Sequence, residues 1–218
     1  MCNLYSMTAT REAMLRLFQV SHNRAAMFDP LPAIFPGRSA PVLRLAADGE
    51  SEIVAMSWGF VLPMEGRAPK RVTNTRDDKV DSRFWRASFD RRRCLVPATS
   101  FAEPHDDRKP ATWHWFALSG EEARPLFAFA GIWQRWRGAV KKDGPSLEID
   151  VYSFMTTAPN ALTASINHER SPVVLAGEAE FEAWLHGDET SARGLLHPLP
   201  AERMRIVQEG FEKLDLQA

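Results

Sequence analysis

Cysteine is almost missing from this 218-residue chain, which carries only Cys2 and Cys94. Two cysteines cannot build a disulfide framework, so a reducing, cytoplasmic setting is expected. No apolar run approaches the roughly 18–20 residues of a membrane helix, and the longest, 126–133, suits a buried strand. A secretory leader is not expected either, because Arg11 and Glu12 interrupt the first stretch. An excess of one charge is lacking: 27 Lys and Arg stand against 28 Asp and Glu, a formal net charge of -1. There is no low-complexity segment and no repeat of fixed period. No G-x-S-x-G, P-loop or G-x-G-x-x-G is present, which argues against the common serine hydrolases, nucleotide hydrolases and dinucleotide enzymes. Cys2, Cys94 and the histidines (His22, His105, His114, His168, His186 and His197) show no C-x-x-C, H-x-x-x-H or H-E-x-x-H spacing. Neither a metal nor a nucleotide or other cofactor is therefore expected.

What is present is an ordinary globular balance, 44% hydrophobic and 25% charged residues. The length suits a single compact domain over 1–218. Thr10 can cap a first helix with Met14, Leu17 and Phe18 on one face. Four prolines between 29 and 41 predict an irregular, ordered loop there. Strand-like runs cover 42–46, 53–58, 94–98, 112–118, 126–133 and 148–155, with a hairpin loop predicted over 135–145. A helix is predicted over 178–186, burying Phe181, Trp184 and Leu185 and stopping at Gly187. Strand and helix do not alternate in the second half. The fold class read from this pattern is α+β, with a large, mostly antiparallel sheet core.

Charge is unevenly spread. Residues 65–93 hold ten Lys or Arg against five Asp or Glu, whereas 177–218 hold four against nine. A basic face suited to phosphates is one reading, and a solvated surface with local ion pairs is the other.

Cys2 carries the most chemistry. Removal of Met1 places an α-amine and a thiol on adjacent carbons, groups that ordinarily titrate at about 7.7–8.0 and about 8.5. An amine condenses with an aldehyde to an imine, and a thiol two carbons away then closes a five-membered thiazolidine. Glu103 follows Phe101 and Thr99 in an apolar segment and is a candidate proton carrier. His168 sits in a polar cluster just before Val173, Val174 and Leu175, a placement suited to an acid–base group. Asn74 can orient a reacting amine or bind a hydroxyl, or can simply form a turn. Cys94 and His114 are expected to be structural.

These pieces together resemble the SRAP (SOS response-associated peptidase) family. Met1-Cys2 with an aromatic at Tyr5 is similar to its Met-Cys-Gly-Arg-Phe opening. Trp58-Gly59-Phe60-Val61-Leu62-Pro63 resembles Trp-Gly-Leu-Ile-Pro, and Asn74-Thr75-Arg76 resembles Asn-Ala-Arg. The run from Arg92 to Ala98, ending in Phe101-Ala102-Glu103, resembles the segment ending in Phe-Tyr-Glu-Trp. Residues 127–133 are close to a core strand of the family, and 168–175 resemble His-Asp-Arg-Met-Pro-Val-Ile-Leu. The chain departs from the family at Asn3, Leu4, Met64 and Pro104, and in the segment 33–36.

The resemblance implies a barrel-like antiparallel core with peripheral helices. It implies single-stranded DNA carrying abasic sites as partner, with Cys2 joined covalently to the ring-opened aldehyde. Asn74, Glu103 and His168 would complete the site. Arg76 and Arg83, then Arg38 and Arg170, are the implied phosphate contacts, and Pro36, Leu62 and Met64 are apolar wedges against bases. A monomer is expected, without membrane or nucleotide cofactor, and nucleoid-associated in a bacterium. Two other functions remain open at this point: a narrow cysteine peptidase with Cys2 as nucleophile, which the peptidase label and Met1 removal allow, and a non-covalent single-strand binding module.

Overall fold

The computed structural model describes residues 2–25, 29–105 and 109–216. In chain order the elements are β1 (Tyr5–Met7), α1 (Arg11–Leu17), β2 (His22–Asn23), β3 (Leu31–Ile34), β4 (Ser39–Leu45), β5 (Ser51–Trp58), β6 (Phe60–Leu62), β7 (Lys70–Val72) and β8 (Asn74–Arg76). Then follow α2 (Arg86–Arg91), β9 (Arg93–Ala98), β10 (Ser100–Pro104), β11 (Trp113–Leu118), β12 (Phe127–Gly138) and β13 (Leu147–Thr157). The chain continues with α3 (Ala161–Ala164), β14 (Ser171–Pro172), β15 (Val174–Leu175), α4 (Glu178–His186), α5 (Glu189–Gly194) and β16 (Met204–Gly210).

Five strands close on themselves in the order β13, β12, β9, β4, β5 and back to β13. Four of those junctions are antiparallel, and the closing one, Val151 against Ser57 and Tyr152 against Trp58, is parallel. Closure leaves these strands without an open edge. A second, all-antiparallel sheet runs β16-β11-β10-β1-β3. Tyr5 joins the two: its ring packs edge-on against Trp58 and Phe129, and its hydroxyl bonds that of Tyr152 at 2.5 Å. The architecture is thus the α+β, mostly antiparallel, barrel-like core with peripheral helices expected from sequence.

Gly131 shows how closely the barrel strands approach. A Cβ there would meet Cys94 Sγ and Val96 Cγ2 at 2.8 Å. The indole N–H of Trp184, on α4, donates to the carbonyls of both Cys94 and Gly131 at 3.0 Å, which fixes that helix on the barrel. The helix spans the predicted residues and buries Phe181, Trp184 and Leu185. Thr10 caps α1 through Ala13 N as read from sequence.

Two expectations are corrected. The proline-rich stretch 29–41 is not irregular, because it holds β3 and the start of β4. Pro32 lies in β3, the edge strand of its sheet, and Pro41 lies in β4 outside the Leu43–Arg44 segment that pairs with β9. Neither position needs the missing N–H in a ladder. The loop predicted over 135–145 is shorter: Arg135 still pairs with Asp150 and Arg137 with Glu148, so the hairpin turns over 139–146. Complementary charges on these residues, with Arg135 bonding Asp150 and Glu148, continue the ladder beyond its apolar part. No helix among the described residues is long and apolar enough to cross a membrane.

Candidate active site

The β1–β10 ladder brings the start of the chain to Glu103. Tyr5 is paired with Phe101, and Ala102 N donates to Leu4 O at 2.9 Å. Cys2 is fully buried, with its thiol donating to Leu4 O at 3.4 Å. Burial, and then the charge of Glu103, pushes that thiol well above its ordinary value, and a hydrogen bond with Glu103 adds to the rise. Both effects hold the sulfur as a thiol beside a carboxylate.

Glu103 is 1% exposed and its Oε2 lies 3.4 Å from Nε2 of His168, itself 5% exposed. His168 is delivered by a tight reversal. Asn160 caps α3 by accepting from Thr163 N, and Asn167 turns the chain in the left-handed region at φ 60°. Asparagine tolerates that conformation better than most residues. His168 N then bonds Thr163 O, and β14 anchors the exit against Thr156 and Thr157 of β13.

Asn74 opens β8, paired in parallel with Phe154. It is 5% exposed, and neither polar atom of its amide has a hydrogen-bond partner among the described residues. Leaving such a group unsatisfied costs on the order of 1–3 kcal/mol, so the position is one where a ligand atom can repay the fold. The preceding residue ties it to the chain start: Thr73 Oγ1 donates to Asn3 Oδ1 at 3.1 Å. Trp58 Nε1 and Ser153 Oγ both donate to Thr73 O at 3.0 Å. Gly59 sets this geometry, because its φ of +105° turns the chain from β5 into β6 and a Cβ would press on Arg71 at 3.3 Å. Cys2, Glu103 and His168 are thus gathered directly, and Asn74 is linked to them through Thr73 and Asn3.

A cleft of about 260 Å³ opens on Asn74, lined also by Lys70, Arg71, Val72, Thr73, Arg76, Lys79 and Trp85. A larger one of about 590 Å³ between β4, β5 and the β12–β13 hairpin holds none of Cys2, Asn74, Glu103 or His168. Its walls include the Arg135–Glu148–Asp150 ion pairs.

Of the residues read as phosphate contacts, Arg76 lines the smaller cleft and is held by Asp78 through two bonds of 2.8 and 2.7 Å. Arg38 and Arg83 are exposed and lie outside that lining. Arg170 is half-buried, its guanidinium held by Asp77 and the carbonyl of Thr156. Pro36 and Met64 are exposed and Leu62 is half-buried. Much of the basic excess of 65–93 is engaged internally: Arg86 with Asp81, Asp90 and Glu189, Arg93 with the carbonyls of Trp184 and Gly187, and Arg71 with Ser57, Trp58 and Gly59. The cleft lining and the contact to the chain start also bring in Lys70, Thr73, Lys79 and Asn3, which sequence reasoning did not single out. Their signal was positional, since all flank Asn74 or Cys2, but nothing in residue type set them apart. Among the described residues no group of three or more His, Cys, Asp or Glu is arranged to hold a metal ion.

Solved structures share this fold. A Bacteroides thetaiotaomicron protein matches with a TM-score of 0.76 at 23% identity, covering 94% of this chain and 90% of its own. A Bordetella bronchiseptica protein matches at 0.73 and 23% identity, covering 94% and 97%. A phage-related protein of Bordetella bronchiseptica matches at 0.69 and 18% identity, covering 94% and 92%. No curated protein sequence matches the chain. The family model for SOS response associated peptidase (SRAP) matches residues 1–209, and the chain belongs to that family.

Proposed function

We propose that the protein binds single-stranded DNA at abasic sites and joins Cys2 to the ring-opened sugar as a thiazolidine. Removal of Met1 frees the α-amine of Cys2. His168 assists opening of the sugar ring. The amine, oriented by the Asn74 amide, adds to the C1′ aldehyde. Glu103 delivers a proton to the carbinolamine hydroxyl, water leaves and an imine forms. The thiol then adds to the carbon of the protonated imine, forming the C–S bond while its proton returns to Glu103 and the ring nitrogen is left neutral. Phosphates held along Lys70, Arg76 and Lys79 would keep the aldehyde beside the amine, raising its effective concentration.

The observation that carries this reading is the buried Glu103–His168 pair at 3.4 Å, to which the β1–β10 ladder brings the buried Cys2. A thiol-only peptidase needs a thiolate, which burial and the Glu103 charge oppose. An imine is electrophilic enough to be attacked by a thiol whose proton a neighbouring carboxylate accepts. The test is direct. Protein whose Met1 has been removed is mixed with an abasic oligonucleotide and boiled in denaturant before electrophoresis. A band shifted by about one protein mass is expected, and its absence overturns the reading.

A further inference from the structure

Glu103 has a second histidine beside it. On the β10–β11–β16 ladders Glu103 is paired with His114, and His114 with Glu209. Side chains directly opposite across antiparallel strands share a face, with Cβ atoms about 4.5–5.5 Å apart. Exposure rises along this row: Glu103 is 1% exposed, His114 3%, and the Glu209 side chain 55%. His114 Nε2 lies 3.5 Å from Glu209 Oε2. β16 is an outer strand of its sheet, so the row runs from the buried carboxylate to a solvent edge.

The reaction proposed above needs such an exit whenever the α-amine enters as its ammonium form, which must shed a proton before it can attack. Starting from the α-ammonium form, the amine, aldehyde and thiol combine with one new C–N and one new C–S bond. One water leaves, and because the ring nitrogen ends neutral, one proton is also released. Bound DNA at the Asn74 cleft would hinder escape on that side. We infer that His114 relays this proton between Glu103 and Glu209, taking it on one ring nitrogen and releasing it from the other. His114 would not touch the substrate; it acts through Glu103. The inference rests on the thiazolidine reading. From the packed elements, Glu103 on β10, Glu209 on β16 and His105, whose ring centroid is 5.9 Å away, face His114. Lys213 stands over the adjacent Trp113 ring at 5.2 Å, and β11 has no other charged side chain.

The test compares wild type with His114→Phe, which keeps an aromatic ring, and Glu209→Gln, which changes only the exposed end. Single-turnover adduct formation on an abasic oligonucleotide is followed from about pH 5 to about pH 9, the range in which imidazole titrates. His114→Phe is expected to slow the reaction by about 10²-fold, with unchanged non-covalent affinity and loss of one inflection in the profile. Glu209→Gln is expected to move that same inflection without altering the melting temperature. Wild-type rate and profile in His114→Phe overturn the relay. Should that variant fail to fold, an unmoved profile in Glu209→Gln overturns it instead. A wild-type protein that forms no adduct at all overturns both the relay and the reading beneath it.

Discussion

The carboxylate of Glu103 and the imidazole of His168 meet at 3.4 Å inside the protein, although 65 positions separate them in sequence. One comes from the β1–β10 sheet and the other from the turn after α3, so the pair forms only when both parts are folded. Glu103→Gln keeps the shape and removes the ionisable group. It should slow both formation and reversal of the adduct by about 10²–10⁴-fold, while leaving affinity for the oligonucleotide unchanged. His168→Ala should slow one or both steps similarly. Wild-type rates in the two variants would leave the pair a purely structural role.

The thiols offer a second check. Burial raises Cys94 as well as Cys2, and both are free and buried. An acid whose folded pKa lies above its unfolded value is held protonated by the fold, so its thiolate appears only at higher pH. A disulfide exchange reagent at pH near 8 should therefore label neither cysteine at the rate of a small free thiol, and both once the protein is denatured. Rapid labelling of Cys2 in the native protein would instead favour the thiolate peptidase. Cys2→Ala keeps an amine after Met1 removal. It should give an adduct that borohydride traps but that boiling destroys.

Arg76 is the one expected phosphate contact that lines the cleft, and Asp78 competes for it. Asp78→Asn should release the guanidinium and tighten binding to all DNA sequences alike. Neutralising Arg76 should weaken binding and flatten the salt dependence by about one ion, and Arg83 should do the same if DNA extends beyond the cleft. Binding unchanged across all three variants, with an unchanged salt slope, would move the DNA face elsewhere.

What could be read from sequence followed locality. Strand runs such as 53–58 and the helix at Glu178–His186 were legible because period and cap lie within a few residues. Cys2, Asn74, Glu103 and His168 were legible as reactive types in recognisable segments. The capture of Arg170 by Asp77 was not, since 93 positions separate them and either could have faced solvent. The parallel closure of β5 on β13 left no trace either, because alternation reports which face of a strand is buried and not which strand lies beside it. Pro32 and Pro41 misled for the same reason: whether a proline breaks a strand depends on what would have bonded its N–H.

Asp215, beyond the family match, is bound to the sheet that carries Glu103. Asp215 is buried with Arg124, which donates to both its oxygens at 2.7 Å, and Ser100 Oγ donates to it at 2.5 Å. Asp215 N also donates to Pro32 O at 3.0 Å, so β3 and β10 are tied through one residue. Removing one member of a buried pair strands the other, so Asp215→Ala should cost about 3–5 kcal/mol in a urea melt. Deleting 211–218 should destabilise the protein in the same direction. Unchanged melting curves in both would make this segment dispensable to the β1–β10 sheet.

The chemistry proposed for Cys2 requires its α-amine and not merely a cysteine near Glu103. An uncleaved N-terminal tag makes that nitrogen an amide, which is not nucleophilic, so neither imine nor thiazolidine can form. A tag after Ala218 leaves the amine free once Met1 is gone. Both tagged proteins retain Cys2, Glu103 and His168, so a thiol-only mechanism gives less contrast between them. Cys2 is fully buried, which means a tag could also disturb the fold around it. Cutting the tag immediately before Cys2 separates these effects: if the chemistry was blocked, adduct formation returns at the rate of the C-terminally tagged protein. Intact mass confirms at each stage which residue begins the chain. Equal rates of heat-stable adduct formation by the uncut N-terminally tagged protein and the C-terminally tagged one would show that the amine takes no part, and the thiazolidine mechanism would have to be abandoned.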